Sequence, residues 1–180
     1  EIVSIRKELP KKIFVEVART NKSDKKRTQS RKALLEELYE QIKDEDVHVL
    51  QQELKSKEDS ALNSKKLYLY FTQMWRCMYS GRRIDFHELF TDTYDIDHIY
   101  PRSLTKDDSW HNIVLVEKQL NAEKTDRFPI LSAIQSKQKG FWKLLWDRGF
   151  ISEKKYDRLV RTTDLIDEEL NQFINRQMVS

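Results

Sequence analysis

The sequence predicts an α+β fold that is mostly helical. Only three Gly and three Pro occur in 180 residues, and a chain so poor in turn residues favours helix. Apolar residues recur at helical spacing in residues 30–45 and again in residues 64–79. Residues 94–124 instead have the pattern of two short strands followed by a short helix. We therefore expect a small ββα unit surrounded by helices.

Two amphipathic helices are predicted in the first half of the chain. In residues 30–45, apolar side chains recur every four positions at Leu34, Leu38 and Ile42. The second helix covers residues 64–79. Its apolar face, which we expect in the core, consists of Leu67, Phe71, Met74, Trp75 and Met78. The pattern of residues 46–63 predicts no single element.

The central segment is expected to form two strands and a helix. Residues 94–98 alternate as a strand does, and Pro101 ends that strand because proline cannot donate to a sheet ladder. Residues 112–116 predict a second strand, and residues 117–124 a short polar helix. Residues 84–89 are expected to add a short strand or hairpin arm beside the first strand.

Three further helices are predicted after this segment. The first covers residues 132–146, with Gly140 as a weak point. The second follows a cap at Ser152 and runs to Val160. The last, a terminal helix, is indicated by four apolar residues: Ile166, Leu170, Phe173 and Ile174.

Composition excludes several kinds of protein. A single cysteine, Cys77, leaves no disulfide framework and no Cys-rich zinc site. No apolar stretch approaches the roughly 18 residues typical of a membrane span, and no signal peptide is visible. The formal net charge is +3, with basic residues concentrated in residues 6–32. Such a segment can contact phosphates, although a solvated linker is the more ordinary interpretation.

Asp97, His98 and Asn121 supply the groups that phosphodiester hydrolysis needs. A histidine with an ordinary pKa of about 6.5 can take a proton from water near neutral pH. Carboxylate and amide oxygens are ligands that suit Mg²⁺, which stabilises charge on the phosphate and the leaving oxygen. Alternation along a strand puts Asp97 and His98 on opposite faces, so a shared site requires a bend in the backbone. The other histidines have no metal-ligand spacing, and His111 is expected to be a surface or packing residue.

The central segment carries an ordered set of motifs. They are Tyr-Asp-x-Asp-His-Ile-x-Pro-x-Ser at residues 94–103, Lys-Asp-Asp-Ser at 106–109, Asn-x-Val-Leu at 112–115 and a final Asn121. At these residues the chain resembles the HNH nuclease family, whose fold is the ββα-metal finger. The resemblance is closest to the HNH domain of CRISPR-associated, RNA-guided type II DNA endonucleases.

The resemblance implies a role for each motif residue. His98 is expected to be the general base, and Asp97 and Asn121 the ligands of one Mg²⁺ ion, with Mn²⁺ as an alternative. Asn112 and Asp95 are expected to support the site, Asn112 by bracing its loop.

Phosphate contacts are expected to be weak. Lys106 and Lys124 are the basic residues nearest to the metal ligands in the sequence.

A second nuclease site is implied near the start of the chain. Val15, Glu16, Ala18 and Arg19 match a strand of the RuvC-type nuclease into which the HNH domain of those endonucleases is inserted. Glu16 is then a metal ligand of that site, whose other carboxylates lie outside this chain. The alternative is an edge strand with Glu16 facing water.

The predicted organisation has four parts. Residues 1–19 form a RuvC-II-like strand segment, 20–63 a basic loop and linker helix, 64–165 the HNH domain, and 166–180 a linker helix returning to the RuvC-type domain. The missing initiator Met and the abrupt ends suggest a piece of a larger protein.

The resemblance implies a Mg²⁺-dependent domain that cuts the DNA strand paired with a guide RNA. The expected partners are the target DNA strand, the guide RNA–DNA heteroduplex held by the parent protein, and the rest of that parent. We expect a cytoplasmic location in a prokaryote and no membrane partner. Two alternatives stay open: a stand-alone HNH nuclease of the homing or toxin type, and a non-catalytic nucleic-acid-binding module. The intact Asp97, His98 and Asn121 favour catalysis.

Overall fold

A computed structural model describes residues 29–43 and 45–171, except for the side chains of residues 45 and 46. The predicted strand segment at residues 1–19, with Glu16, lies outside these ranges. So does most of the predicted terminal helix, of which only residues 167–171 are described as helical.

Besides the helical residues 167–171, six α-helices and two β-strands lie within the described residues. In chain order they are α1 Arg31–Glu40, α2 Glu45–Ser56, α3 Lys65–Thr72, β1 Tyr94–His98, β2 Ile113–Glu117, α4 Lys118–Lys124, α5 Ser132–Asp147 and α6 Glu153–Val160. Short 3₁₀ turns cover Asp59–Asn63 and Phe86–Glu88. The prediction of a mostly helical α+β fold is confirmed. No helix in the described part of the chain is long and apolar enough to cross a membrane.

Serine hydroxyls cap three of the helices. Ser30, Ser64 and Ser152 each accept a hydrogen bond from a backbone N–H in the first turn of α1, α3 and α6, respectively. A cap of this kind stabilises a helix by about 1 kcal/mol, because it satisfies a donor that has no partner inside the helix. The predicted helix starts at these three serines are confirmed.

One hydrophobic core joins the helices to the sheet. The segment predicted to be a linker contributes seven buried side chains to it: Leu35, Tyr39, Ile42, Val47, Leu50, Leu54 and Leu62. The Tyr39 hydroxyl donates to the Phe71 carbonyl at 2.5 Å, and its ring meets that of Phe150 edge-on at 5.0 Å. The predicted boundary at residue 63 is therefore not where the packing changes. Residues 31–63 belong to the same core as the helices and strands that follow.

Helix α3 ends at Thr72, and its predicted continuation to residue 79 is wrong. Met74 and Trp75 have φ angles of 49° and 52°, in the left-handed region that a right-handed helix cannot include. The buried amide of Gln73 instead donates to the Leu115 carbonyl at 2.8 Å and accepts from the Leu115 N–H at 2.7 Å. This segment therefore covers a strand edge whose backbone groups need partners.

Strands β1 and β2 pair in antiparallel fashion, and α4 packs against both. Asp97 lies opposite Val114, and residues 113–116 are fully buried. The predicted ββα order is confirmed, with β2 starting one residue later than expected.

Residues 84–89 do not form the predicted strand. The Asp85 carboxylate accepts a hydrogen bond from the His87 N–H at 2.9 Å and so begins the 3₁₀ turn Phe86–Glu88. Helix α5 runs through Gly140 without a break. Its Trp142 indole donates to the Met78 carbonyl at 2.9 Å and fixes α5 on the core.

Candidate active site

The Asp97 carboxylate is buried inside the ββα unit. The Tyr79 hydroxyl donates to its Oδ2 at 2.5 Å, and the Lys124 ammonium lies 3.0 Å from Oδ2 and 3.3 Å from Oδ1. Burial and the neighbouring Asp97 raise the pKa of Tyr79, so the phenol remains a donor at neutral pH. One neutral donor and one cation therefore satisfy this carboxylate.

Lys124 is the last residue of α4 and only 1% exposed. Its ammonium also donates to the His98 backbone carbonyl at 2.9 Å. The predicted phosphate contact by Lys124 does not fit this arrangement, because the ammonium faces Asp97 and is shielded from solvent. A buried lysine is normally paired, but the sequence did not show that Asp97 would be its partner.

The His98 imidazole contacts a separate set of side chains. Its Nε2 lies 2.6 Å from the Asp108 Oδ1, and the Arg102 guanidinium donates to both Asp108 oxygens at 2.8 Å. Hydrogen bonds from Arg102 and His98 lower the pKa of Asp108, which is therefore ionised at neutral pH. Asp97 and His98 therefore have different side-chain partners, although the Lys124 ammonium contacts the Asp97 carboxylate and the His98 backbone carbonyl alike.

Asp108 is a member of the site that the sequence analysis did not single out. It was present within the Lys-Asp-Asp-Ser motif, but that motif alone did not indicate which carboxylate would reach His98.

Asn112 holds the loop that carries Arg102 and Asp108. Its fully buried side chain accepts from the Tyr100 N–H at 2.9 Å and donates to the Tyr100 carbonyl at 3.0 Å and the Asp107 carbonyl at 2.9 Å. These are the contacts expected of a residue that braces a loop.

A second tether joins this loop to α6. The Arg158 guanidinium lies 2.8 Å from the Asp107 carboxylate. Burial raises the pKa of Asp107, but hydrogen bonds from Ser109 and Arg158 outweigh that effect and bring it to about 2. Asp107 therefore stays ionised, and the loop is fixed at both its start and its end.

Asn121 lies on α4, three residues before Lys124. Residues three apart share one helix face, and Lys124 contacts Asp97, so Asn121 lies on the side of α4 that faces β1. Among the described residues its side chain has no hydrogen-bond partner, which leaves its oxygen free to accept one. Asp95 is half-buried on β1 opposite Val116, and Lys106 is exposed.

The donors near Asp97 suit a hard divalent ion. A carboxylate and an amide oxygen, completed by water, are the ligands that Mg²⁺ takes. The described residues contain no group of three or more His, Cys, Asp or Glu side chains that could hold a metal. An ion here would therefore depend on Asp97 and Asn121, and it would share the Asp97 oxygens with Lys124.

Residues 77–130 match the family model described as HNH endonuclease. Over 181 aligned residues the chain is 34% identical to the CRISPR-associated endonuclease Cas9 of Listeria innocua and 33% identical to that of Streptococcus mutans. Each alignment covers 99% of this chain but only 13% of the relative. A Cas9 from Staphylococcus aureus is 33% identical over 126 residues, which is 64% of this chain and 12% of that protein.

The matched family segment contains Tyr79, β1, the Asn112-braced loop, β2 and α4, and so every residue described above as contacting the Asp97 or His98 side chain. The chain spans about an eighth of the length of the bacterial relatives that it matches along its full length. We conclude that it belongs to the HNH endonuclease family, in the form found within Cas9 proteins, and that it is a nuclease domain.

Proposed function

We propose that this domain hydrolyses a phosphodiester bond in one DNA strand, with His98 as the general base and Asp97 and Asn121 as the ligands of a Mg²⁺ ion. The observation that carries the proposal is the hydrogen bond between the His98 Nε2 and the ionised Asp108. A carboxylate at 2.6 Å favours the proton on Nε2 and leaves the Nδ1 lone pair to accept a proton from water. The Arg102 Nε also approaches Nε2, but at 3.4 Å it is too distant to compete with Asp108.

The surrounding contacts hold this base in place. Arg102 donates to both oxygens of Asp108, and Asn112 fixes the loop on which Asp108 lies. These contacts favour one orientation of the imidazole before any substrate arrives, and such positioning accounts for a large part of catalytic rate enhancement.

Asp97 and Asn121 have complementary parts in this proposal. Tyr79 fixes the orientation of the Asp97 carboxylate, and the Asn121 oxygen has no competing partner among the described residues. When bound, a Mg²⁺ ion stabilises negative charge on the phosphate and the leaving oxygen. Lys124 neutralises Asp97 at other times and would have to share its oxygens with the ion.

The names of the relatives support a particular substrate. They are CRISPR-associated endonucleases, and in enzymes of that kind a guide RNA pairs with one DNA strand. We propose that the parent protein, in a bacterial cytoplasm, presents that paired strand to His98. The exposed Lys106 is a candidate phosphate contact, and Glu16 a candidate ligand of a separate RuvC-type site in the parent.

Strand-specific cleavage by the parent protein tests this proposal. His98→Ala should slow cleavage of the guide-paired strand by about 10²–10⁴-fold, the typical loss when a general base is removed. Asp108→Asn should slow the same strand by less, because the base remains but loses its orienting partner. The exposed His87 gives a matched control, since His87→Ala should leave cleavage unchanged.

Each outcome has a distinct meaning. Wild-type cleavage of the paired strand by His98→Ala would exclude His98 as the base. Loss of cleavage on the unpaired strand alone would assign this site to the other strand.

A further inference from the structure

A cavity lies away from the proposed catalytic residues, none of which lines it. It has a volume of about 250 Å³ and lies between α3, the start of β2 and the start of α6. Its polar lining residues are Tyr68, Thr72, Trp110, His111, Ser152 and Lys155. The cavity is several times larger than the roughly 30 Å³ occupied by a water molecule, so a small oxyanion and its waters can enter.

Lys155 is the unusual member of this lining. It is only 3% exposed, and no hydrogen bond or ion pair to its ammonium exists within residues 29–43 and 45–171. Burial alone lowers its pKa to about 7. A lysine whose side chain is this buried is unfavourable without a counter-charge, and an anion in the cavity would supply one.

The start of α6 adds a second feature that favours an anion. Ser152 and Lys155 lie at that end of the helix, and the backbone N–H groups of Glu153 and Lys154 have no acceptor in the described part of the chain. Unpaired N–H groups and the helix dipole together make a helix start attractive to phosphate. Here they occur beside a buried cation.

Positive charges predominate around the cavity. No carboxylate lines it, although Glu153 is the first residue of α6, and the nearby Asp107 is paired with Arg158. His111 Nδ1 lies 2.6 Å from the Ser152 hydroxyl. Burial and then the neighbouring Lys154 and Arg158 lower the pKa of His111, as expected in a region of positive potential.

We propose that this cavity binds a phosphate group, with the Lys155 ammonium and the start of α6 as its anion-binding elements. The phosphate comes either from a nucleic-acid backbone or from free inorganic phosphate, because both present the same tetrahedral oxygens.

Paired lysine variants of the 180-residue chain test the proposal. Lys155→Met removes the buried charge, and Lys139→Met removes the same charge from an exposed residue of α5 that does not line the cavity. Inorganic phosphate, titrated calorimetrically and in thermal melts at pH 6.5, should bind and stabilise the wild type and Lys139→Met. In Lys155→Met we expect at least a tenfold loss of affinity and no stabilisation.

A second arm identifies the source of the phosphate. A short single-stranded DNA is titrated into the same three proteins. A Lys155-dependent affinity for DNA with none for inorganic phosphate assigns the site to a nucleic-acid backbone, whereas binding of inorganic phosphate assigns it to the free anion as well. Equal losses in the two variants, or no binding of either probe to the wild type, would overturn the proposal.

The wild type provides a test that does not depend on a variant folding. The NMR signal of the Lys155 ε-carbon reports the charge of its amine, and sulfate does not titrate near pH 7. Added sulfate should raise the pH at which this signal titrates, because a bound anion favours the ammonium. An unchanged midpoint at saturating sulfate would contradict the proposal even if Lys155→Met failed to fold.

Discussion

Lys124 and Lys155 are both buried at the ends of short helices, yet their surroundings differ. Lys124 lies 3.0 Å from Asp97 and also binds a backbone carbonyl. Lys155 has no partner for its ammonium among the described residues, and burial lowers its pKa to about 7. Removing an ammonium from water costs several kcal/mol unless a counter-charge offsets it. Lys124 thus has its counter-charge within the chain, whereas Lys155 would receive one only from a bound anion.

The largest expected effect is on stability when the paired lysine is removed. Lys124→Met should lower the free energy of unfolding by about 3–5 kcal/mol, because it leaves the Asp97 charge buried without its cation. Lys155→Met removes a charge that has no partner and should destabilise the domain far less or not at all. Urea unfolding of both variants at pH 7 measures the difference. Equal losses would show that the two lysines are not distinguished by their partners.

The response to Mg²⁺ tests whether a metal ion and Lys124 compete for Asp97. If Asp97 holds the ion, Mg²⁺ competes with Lys124 in the wild type but has no competitor in Lys124→Met. Added Mg²⁺ should therefore raise the melting temperature of Lys124→Met more than that of the wild type. Asp97→Asn combined with Lys124→Met is the control, and it should show no such response. An equal response in all three proteins would place the ion elsewhere.

A smaller effect is expected from the neutral partner of Asp97. Tyr79→Phe removes one hydrogen bond to a charged group, worth about 1.5–3 kcal/mol. Tyr39→Phe is a matched control, because its buried hydroxyl donates at the same distance of 2.5 Å to an uncharged carbonyl, that of Phe71.

The metal dependence separates the two tyrosines more clearly than stability does. Tyr79→Phe should raise the Mg²⁺ concentration needed for half-maximal cleavage by the parent protein, since Asp97 loses its fixed orientation. Tyr39→Phe should leave that concentration unchanged. A parallel shift in both would indicate a general loss of packing.

The smallest effect is a pH dependence due to Lys155. Below pH 7 its amine is charged in both the folded and the unfolded chain, so the penalty for burial is fully present. Between pH 7 and the ordinary pKa of 10.5, only the unfolded chain holds the proton, and the penalty declines as the pH rises. The stability of the wild type relative to Lys155→Met should therefore increase between pH 7 and 9, by no more than about 1.4 kcal/mol per pH unit. Denaturant unfolding at each pH, without phosphate, measures it. A relative stability that falls with pH would contradict the lowered pKa.

The ββα unit could be predicted from the sequence because its signals are local. Alternating residues, Pro101 and the spacing from Asp97 to Asn121 all lie within one short segment. The end of α3 could not be predicted, since Gln73 leaves the helix to bond Leu115, which is 42 residues away in sequence. The pattern of residues 64–79 is helical throughout, but a tertiary contact overrides it.

The sequence also could not predict which groups the charged residues contact. Lys124 could be placed near the site from its position in the sequence, but its direction depends on how α4 packs on β1. Sequence alone therefore assigned it a weak phosphate contact, whereas the structure buries it against Asp97. The cavity at Lys155 combines residues from three distant segments, and no local pattern indicates it.

The side chain of Gln73 has a consequence for association between molecules. By bonding both backbone groups of Leu115, one amide takes the place of a third strand at that point of β2. A foreign strand cannot add there without first displacing it, so this edge is protected against aggregation by strand addition. A two-stranded sheet that is open on both sides would lack this protection at an edge carrying some of the most apolar residues of the domain.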